Sequence, residues 1–420
     1  MHPRYLLVLL MTLPVAAIAQ DAHLEKARRV LQAVPLVDGH NDLPWYIRSD
    51  LKETPLDVEA YDLRRPTSGN TDLARLKQGM VGGQFWSVYV PGDYRDSGYA
   101  RVQLEQIDIA RRVIAKYPEV LQPAFTAQDI WTAHAAGRIG SLLGAEGGHV
   151  IENSLGALRT YYGLGVRYMT LTHNVTLDWA DAAADSARHG GLTRFGEEVV
   201  REMNRLGMLV DLSHVSPGTM SDALNVAESP VIFSHSSARA LTDVPRNVPD
   251  SILARLRANG GVVMVTFVPG FVSQKIVDRN ARRRQQLEVL MRRMPGDSAG
   301  VTRAMAQWDT ANPLPKATLA DVADHIEHVR KVAGVDHVGI GSDYDGTDNQ
   351  LPVGLEDVSR FPALLAELSR RGWSEEDLRK LAGENVLRAM TTAERVAARL
   401  QRERPPSTRT IEQLDGKRAS

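Results

Sequence analysis

Met208-Leu209-Val210-Asp211-Leu212-Ser213-His214 and, further on, Val231-Ile232-Phe233-Ser234-His235 are two short apolar runs that each close on a histidine. Both read as strands buried on two faces, because they are nearly continuous in hydrophobic residues rather than alternating. The same form recurs along the chain, in Leu36–Asp42, Gly82–Val90, Ser141–Glu146, Arg167–His173, Gly261–Phe267 and His337–Asp343. Amphipathic stretches such as Gly98–Tyr117, Glu197–Leu206, Asp250–Asn259 and Leu319–Ala333 separate them. Asp250 is placed as an N-cap, and Gly207 and Gly334 stand where C-terminal glycines belong. Eight strands alternating with helices predict a (β/α)8 TIM barrel, in preference to two doubly wound domains, since no linker-like shift of composition divides the chain.

The spacing is uneven at one point. About seventy residues separate the seventh and eighth strands, far more than one crossover helix needs. Lys275–Pro295, rich in arginine and leucine, and the turn-rich Gly296–Pro315 predict a helical insertion there, either a lid over the barrel mouth or a solvated helix pair.

Composition narrows the chemistry. The 420 residues are 43% hydrophobic and 24% charged, enough for a large core, and 50 basic residues balance 51 acidic ones. Such balance gives no general attraction to nucleic acid or to anionic membrane. There is no cysteine, which excludes disulfides, a thiolate nucleophile and cysteine-ligated metal, and leaves twelve histidines as candidate ligands. His2 and Arg4, the apolar run Leu6–Ile18 and the small residues around Ala19 read as a secretory signal over residues 1–19, cleaved near Ala19. The expected organisation is therefore this leader, a single barrel over residues 20–400 and a polar tail over 401–420, in a soluble protein exported to the periplasm or beyond. No second run suits a membrane anchor.

In a parallel barrel every strand delivers its C-terminal end to one rim. Here those ends carry His40-Asn41-Asp42, Glu146, His173, His214, His235 and Asp343. In the His-x-Asp pair, His40 and Asp42 project to the same side of an extended chain and can face one metal. Imidazole and carboxylate suit Zn²⁺, and also Mn²⁺, Co²⁺ or Fe²⁺. His214 and His235 can hold a second ion, with Glu146 bridging. Water trapped between two ions becomes a nucleophile near neutral pH, which points to hydrolysis. Asp343 is then free to move a proton from water to a leaving amine.

Val37–Asp42, Gly144–His149, Thr170–Asn174, Asp211–His214, Phe233–Ser236 and Gly341–Asp343 together resemble the membrane (renal-type) dipeptidase family of metallopeptidases, in the expected order from about residue 25 to about residue 395. The resemblance implies an amidohydrolase-type barrel holding two zinc ions per subunit. The residues matching His40 and Asp42 hold one ion, those matching His214 and His235 the other, and Glu146 bridges. It further implies that His173 polarises the scissile carbonyl, that Arg246 in Val244-Pro245-Arg246-Asn247 binds the substrate carboxylate, and that Asp343 is the acid/base. The implied substrates are small dipeptides with an L- or D-residue at the C-terminal side; some members also open β-lactams, and dimers are common, which makes a homodimer an admissible assembly. The disulfides and C-terminal lipid-anchor signal of animal members have no counterpart here, and Phe271 stands where some relatives place a tyrosine. Two rival readings share the barrel: a hydrolase of other amides, lactones or esters, and a non-catalytic periplasmic binding protein.

Other motifs weigh less. Gly296-Asp297-Ser298-Ala299-Gly300 has the letters of a serine-hydrolase elbow but follows a basic helical run, not a strand. His325 and His328 are placed on a solvated helix face, and His149, Asp345 and Asp38 as supporting partners of the site.

Overall fold

The computed structural model describes residues 21–51, 54, 56–94, 98–347 and 350–416. The expected leader, residues 1–19, lies outside them. Nine strands form one parallel sheet: β1 Leu36–Asn41, β2 Val81–Ser87, β3 Leu121–Pro123, β4 Ile139–Glu146, β5 Val166–Thr170, β6 Leu209–Asp211, β7 Ile232–Phe233, β8 Val262–Val265 and β9 Val338–Ile340. β1 pairs with both β2 and β9, and β2 pairs with β4, so eight strands close into a barrel. These eight are the predicted ones. The short β3 pairs only with the lower half of β4, through Leu121↔Ile139 and Pro123↔Ser141, while β5 takes the upper half from Leu143↔Val166 onward. β3 is thus a wedge beneath β5 rather than a ninth stave.

The strands are shorter than their apolar runs. β5, β6, β7 and β9 end at Thr170, Asp211, Phe233 and Ile340, so His173, His214, His235 and Asp343 stand on the loops just beyond. The barrel interior is filled by Val37, Phe85, Leu142, Tyr168, Leu209, Ile232, Val262 and Met264, and Val386, Leu387 and Met390 of helix Asn385–Glu403 belong to the same cluster. A second, larger cluster joins the outer strand faces to the surrounding helices. The helix termini follow their sequence signals in part. Gly207 ends Arg194–Leu206 at φ 84°, in the left-handed region that glycine favours, and Gly334 ends Leu319–Ala333 at φ 100°. Asp250 is instead the first residue of its helix, with Pro249 at the cap, and its carboxylate receives His328 Nε2 at 2.8 Å.

The insertion between β8 and β9 is helical, as expected. Gln274–Arg293 packs on Ser298–Ala311, tied by Arg279 and Arg283 to Asp309 at 2.6 and 2.9 Å. Ser298 begins the second of these helices, and Asp297 caps it by accepting from Gly300 N. No strand precedes Ser298, so the elbow motif is a helix cap. His325 departs from expectation: it is buried, its Nδ1 accepting from Ala238 N at 3.0 Å and its Nε2 lying 3.3 Å from Thr242 Oγ1. It ties the insertion-side helix to the loop after β7, and burial pushes its pKa down to about 4. The tail is more structured than its polar sequence suggests. The last long helix runs to Glu403, Arg159 reaches Ser407 O, and Asp415 at the end of Ile411–Asp415 accepts from Thr193 Oγ1 at 2.6 Å. Among the described residues no helix is long and apolar enough to cross a membrane.

Gly144 in β4 shows how the interior sets the rim above it. A Cβ there would lie 2.0 Å from Cζ of Tyr168, whose ring fills the barrel just below the strand ends. Gly144→Ala is expected to displace that ring and destabilise the protein by about 1–3 kcal/mol, the usual penalty of overpacking. Urea unfolding of the two proteins checks it; equal midpoints would show that Tyr168 relocates without cost.

Candidate active site

The rim residues converge on Glu146, the last residue of β4. Its Oε1 lies 3.0 Å from His214 Nε2 and 3.3 Å from His235 Nε2, and its Oε2 lies 3.5 Å from His40 Nε2. His40 Nε2 is 3.1 Å from Asp42 Oδ2, so the His-x-Asp pair faces one point as its spacing requires. The intervening Asn41 turns away, donating to Thr71 Oγ1 and accepting from Leu43 N. His214 and His235 bring their Nε2 atoms within 2.9 Å of each other. Three overlapping groups result: His40, Glu146 and His235; Glu146, His173 and His214; and His40, Asp42 and Asp343.

Each imidazole is aimed by a hydrogen bond at its other nitrogen. His40 Nδ1 lies 2.8 Å from the Tyr168 hydroxyl, which in turn donates to Gly39 O at 3.2 Å. His235 Nδ1 lies 2.8 Å from Ser234 Oγ, and that hydroxyl sits 2.6 Å from Asp211 Oδ2. His214 Nδ1 lies 3.2 Å from Asn174 Oδ1. Such partners fix each ring and direct its Nε2 towards the centre. Sequence reading did not single out Tyr168, Asn174, Asp211 or Ser234 for these tasks. Their signal was position: Asn174, Asp211 and Ser234 lie within the motif runs, and Tyr168 just before one.

The electrostatics favour a cation. Burial works against the charge of Glu146, but His40 and His173 and the hydrogen bonds of His214 and His235 hold its pKa well below the usual range. Burial, helped by Arg246, pushes His214 and His235 well down, so both are neutral donors of lone pairs. At His40 burial is outweighed by Tyr168, Asp42 and Glu146, which raise it well above the ordinary histidine value. Burial drives Asp343 up to about 8, with His40 opposing and Asp42 and Glu146 reinforcing. Imidazole nitrogens gathered about an ionised carboxylate, with Asp42 Oδ1 buried and without a hydrogen-bond partner, are the kind of groups that hold metal ions. The donor set therefore fits divalent metal.

Above this centre opens a cavity of about 1420 Å³, walled by Trp45, Tyr89, His173, Phe271 and Asp343 and, farther out, by Ile276, Asn280 and Leu314–Ala317 of the insertion. The insertion is thus wall at its inner end and solvated helix at its outer end, where Arg282, Arg284 and Met291 are exposed. Tyr89, not anticipated from sequence, stands edge-on to His173 at 4.8 Å. His173 is 3.8 Å from Glu146 Oε1, and burial lowers its pKa. Arg246 is buried beneath the wall: Nη1 donates to Ser236 Oγ at 2.6 Å, Nη2 to His235 O at 2.9 Å, and Nε has no partner. The Phe271 ring lies 5.5 Å from its guanidinium.

The expected supporting residues divide. Asp38 accepts from Ser342 N and Oγ, both at 2.7 Å, and from Gln84 Nε2, tying β1 to β2 and to the loop after β9. Asp345 accepts from Asn70 N at 2.5 Å and lines the cavity. His149 donates from Nε2 to Val90 O at 2.8 Å and packs under Tyr99, facing a separate pocket.

Comparison with known proteins agrees with this geometry. Residues 24–404 match the model of the membrane dipeptidase family, peptidase family M19. The chain is 42% identical over 392 residues to dipeptidase verJ of Clonostachys rogersoniana, covering 91% of this chain and 90% of that protein. Its fold resembles that of the probable dipeptidase PvdM of Pseudomonas aeruginosa, with a TM-score of 0.76 at 24% identity over 89% of this chain and 99% of that one. It also resembles a metallopeptidase of Rhodobacter sphaeroides bound to a phosphinate mimic of L-Ala-D-Ala, with a TM-score of 0.68 at 24% identity over 86% and 99%. With the family model spanning nearly the whole described chain and a metal-binding donor set at the barrel mouth, the protein belongs to the membrane dipeptidase family, peptidase family M19, and is a metallo-dipeptidase.

Proposed function

We propose that this chain is a dinuclear zinc enzyme that hydrolyses small dipeptides with a free C-terminal carboxylate and an L- or D-residue at that end. The observation that carries the reading is the convergence of His40, His214 and His235 Nε2 on the two oxygens of one ionised carboxylate, Glu146. His40 and Asp42 would hold one ion and His214 and His235 the other, with Glu146 bridging. Nitrogen and oxygen donors without sulfur suit zinc. When bound, such ions supply Lewis acidity and activate water near neutral pH.

The chain's own residues supply the rest. Arg246, with its Nε unpartnered and its other nitrogens fixed, holds the substrate's terminal carboxylate, which limits how much peptide can extend beyond the cleaved bond. His173, neutral through burial, donates to the carbonyl oxygen as it gains charge. Asp343, on the cavity wall, takes the proton released by water and passes it to the departing amine. The phosphinate mimic of L-Ala-D-Ala in the Rhodobacter neighbour supports a dipeptide as the substrate. Residues 1–19 are read as an export leader, so that catalysis takes place outside the cytoplasm.

Purified protein is expected to carry close to two zinc ions per chain, to lose Gly-D-Ala hydrolysis on chelation and to regain it with Zn²⁺. Elemental analysis beside the assay checks this; stripped protein as active as the untreated sample would end the metal reading. Asp343→Asn should lower kcat by about 10²–10⁴-fold, the range for a lost general acid–base, with metal content retained. Loss of metal from that variant would make Asp343 a ligand instead. Arg246→Ala should raise KM for free dipeptides and leave C-terminally amidated ones nearly unaffected; equal losses on both would remove the clamp.

A further inference from the structure

The cavity has two chemically different ends. Its inner wall is acidic, with Asp42, Glu146, Asp343 and Asp345 around the metal-binding centre. Its outer wall is built by the insertion and is largely apolar, with one cation, Lys316, the sole lysine or arginine lining the cavity among the described residues. Lys316 is exposed and has no carboxylate within ion-pair distance among the described residues. The one acid on the outer wall, Glu356, is engaged elsewhere, with Gly354 N at 2.7 Å and Arg360 Nε at 3.1 Å. Residues 269–317 carry nine lysines and arginines against four acids, although the whole chain has a net charge of −1. The insertion thus carries net positive charge, of which Lys316 alone lines the cavity, and the carboxylates lie at the cavity's inner end.

We propose that Lys316 is a specificity-determining residue, which selects dipeptides whose C-terminal residue carries a second carboxylate in its side chain. This rests on the dipeptidase reading above and deepens it. The residue gripped by Arg246 is the one that meets the insertion, because the Arg246 guanidinium lies 5.5 Å from the Phe271 ring, and Phe271 and Lys316 both line the cavity. The cavity, at about 1420 Å³, leaves room beyond a dipeptide backbone for a long side chain to reach that wall. An acidic side chain directed outward meets the Lys316 ammonium, which no described carboxylate pairs. The surplus charge of the insertion adds long-range attraction for the same substrates, a contribution that salt screens.

The test compares Ala-Glu with its near-isostere Ala-Gln on the zinc-loaded enzyme. Wild type should show kcat/KM about fivefold higher for Ala-Glu, the scale of a partly exposed ion pair, and the ratio should shrink in 0.5 M salt. Lys316→Met should bring the ratio close to one, and Lys316→Glu should take it below one. A ratio between two substrates on one enzyme cancels any general loss of folded protein. Arg293→Gln, at the far end of the insertion helix, should keep the wild-type ratio. A wild-type ratio near one, a preference that survives in Lys316→Met, or a preference seen only when the acid occupies the N-terminal residue would each overturn the proposal while leaving the dipeptidase reading intact. Absence of turnover on both dipeptides by metal-loaded enzyme would remove both.

Discussion

The constraint on which the site depends is the burial of Glu146 among imidazoles. A carboxylate withdrawn from water into a barrel mouth is costly unless positive charge or donors surround it. Here the neighbours at 3.0 and 3.3 Å are the Nε2 atoms of His214 and His235, rings whose other nitrogens face Asn174 and Ser234. The same nitrogens that hydrogen-bond the carboxylate can turn their lone pairs to a cation. A metal ion held at the rim would stabilise the fold, since whatever binds the native state and not the unfolded chain favours the former. Site and fold are coupled through that one carboxylate.

The barrel below provides the rigidity that this arrangement needs. Two buried aspartates staple neighbouring strand ends on opposite parts of the ring. Asp38 joins β1 to the loop beyond β9 through Ser342, and Asp211 joins β6 to Thr170 of β5 and to Ser234 beyond β7. Each staple sits directly beneath candidate ligands, His40 in one case and His214 and His235 in the other. Parallel strands are held together in their middle by regular ladders, but at their ends the ladder stops while the chemistry begins. Side-chain carboxylates that accept backbone and hydroxyl hydrogens continue the pairing by one more step. Tyr168 couples the layers in another way: its ring packs the interior against Gly144, and its hydroxyl orients His40.

This division explains what the sequence disclosed. The eight staves were legible because a buried parallel strand is a local pattern, and the ligand candidates were legible because each sits at or just beyond the end of its strand. The Tyr168–His40 and Asp211–Ser234 contacts were not, since they join residues 128 and 23 positions apart and depend on the register of the closed ring. β3 is three residues long and carries no periodicity to read. His325 looked solvated because its helix is amphipathic and its neighbour His328 does reach an exposed partner; burial of His325 follows from the loop after β7 folding over it, with Ala238 N supplying the hydrogen bond. The contacts of the tail were illegible for a similar reason. Polar residues there are fastened by specific partners such as Glu202 and Thr193, and composition cannot show partners.

Backbone conformation completes the aiming of the rim side chains. His214, Asp343 and Asp345 have φ of 67°, 66° and 61°, left-handed values that cost non-glycine residues free energy. All three lie just past strand ends at the rim. An extended residue in the same place would continue the strand and send its side chain along the alternation of the sheet, away from the centre or down into the packed interior. The left-handed turn breaks that alternation and points the side chain across the mouth. Local hydrogen bonds hold it there: Ala183 N donates to His214 O at 2.7 Å, and Asp343 N donates to His40 O at 3.1 Å. Glycine at these positions would relieve the backbone but supply no imidazole or carboxylate. Gly346 shows the converse, because a Cβ there would lie 2.2 Å from Asp42 Oδ2 and 2.4 Å from Asp343 Oδ1. Over the short run from Asp343 to Gly346, the chain accepts strain where a functional group must be aimed and gives up a side chain where one would obstruct it, so local stability is exchanged for geometry at the point where the chemistry requires it.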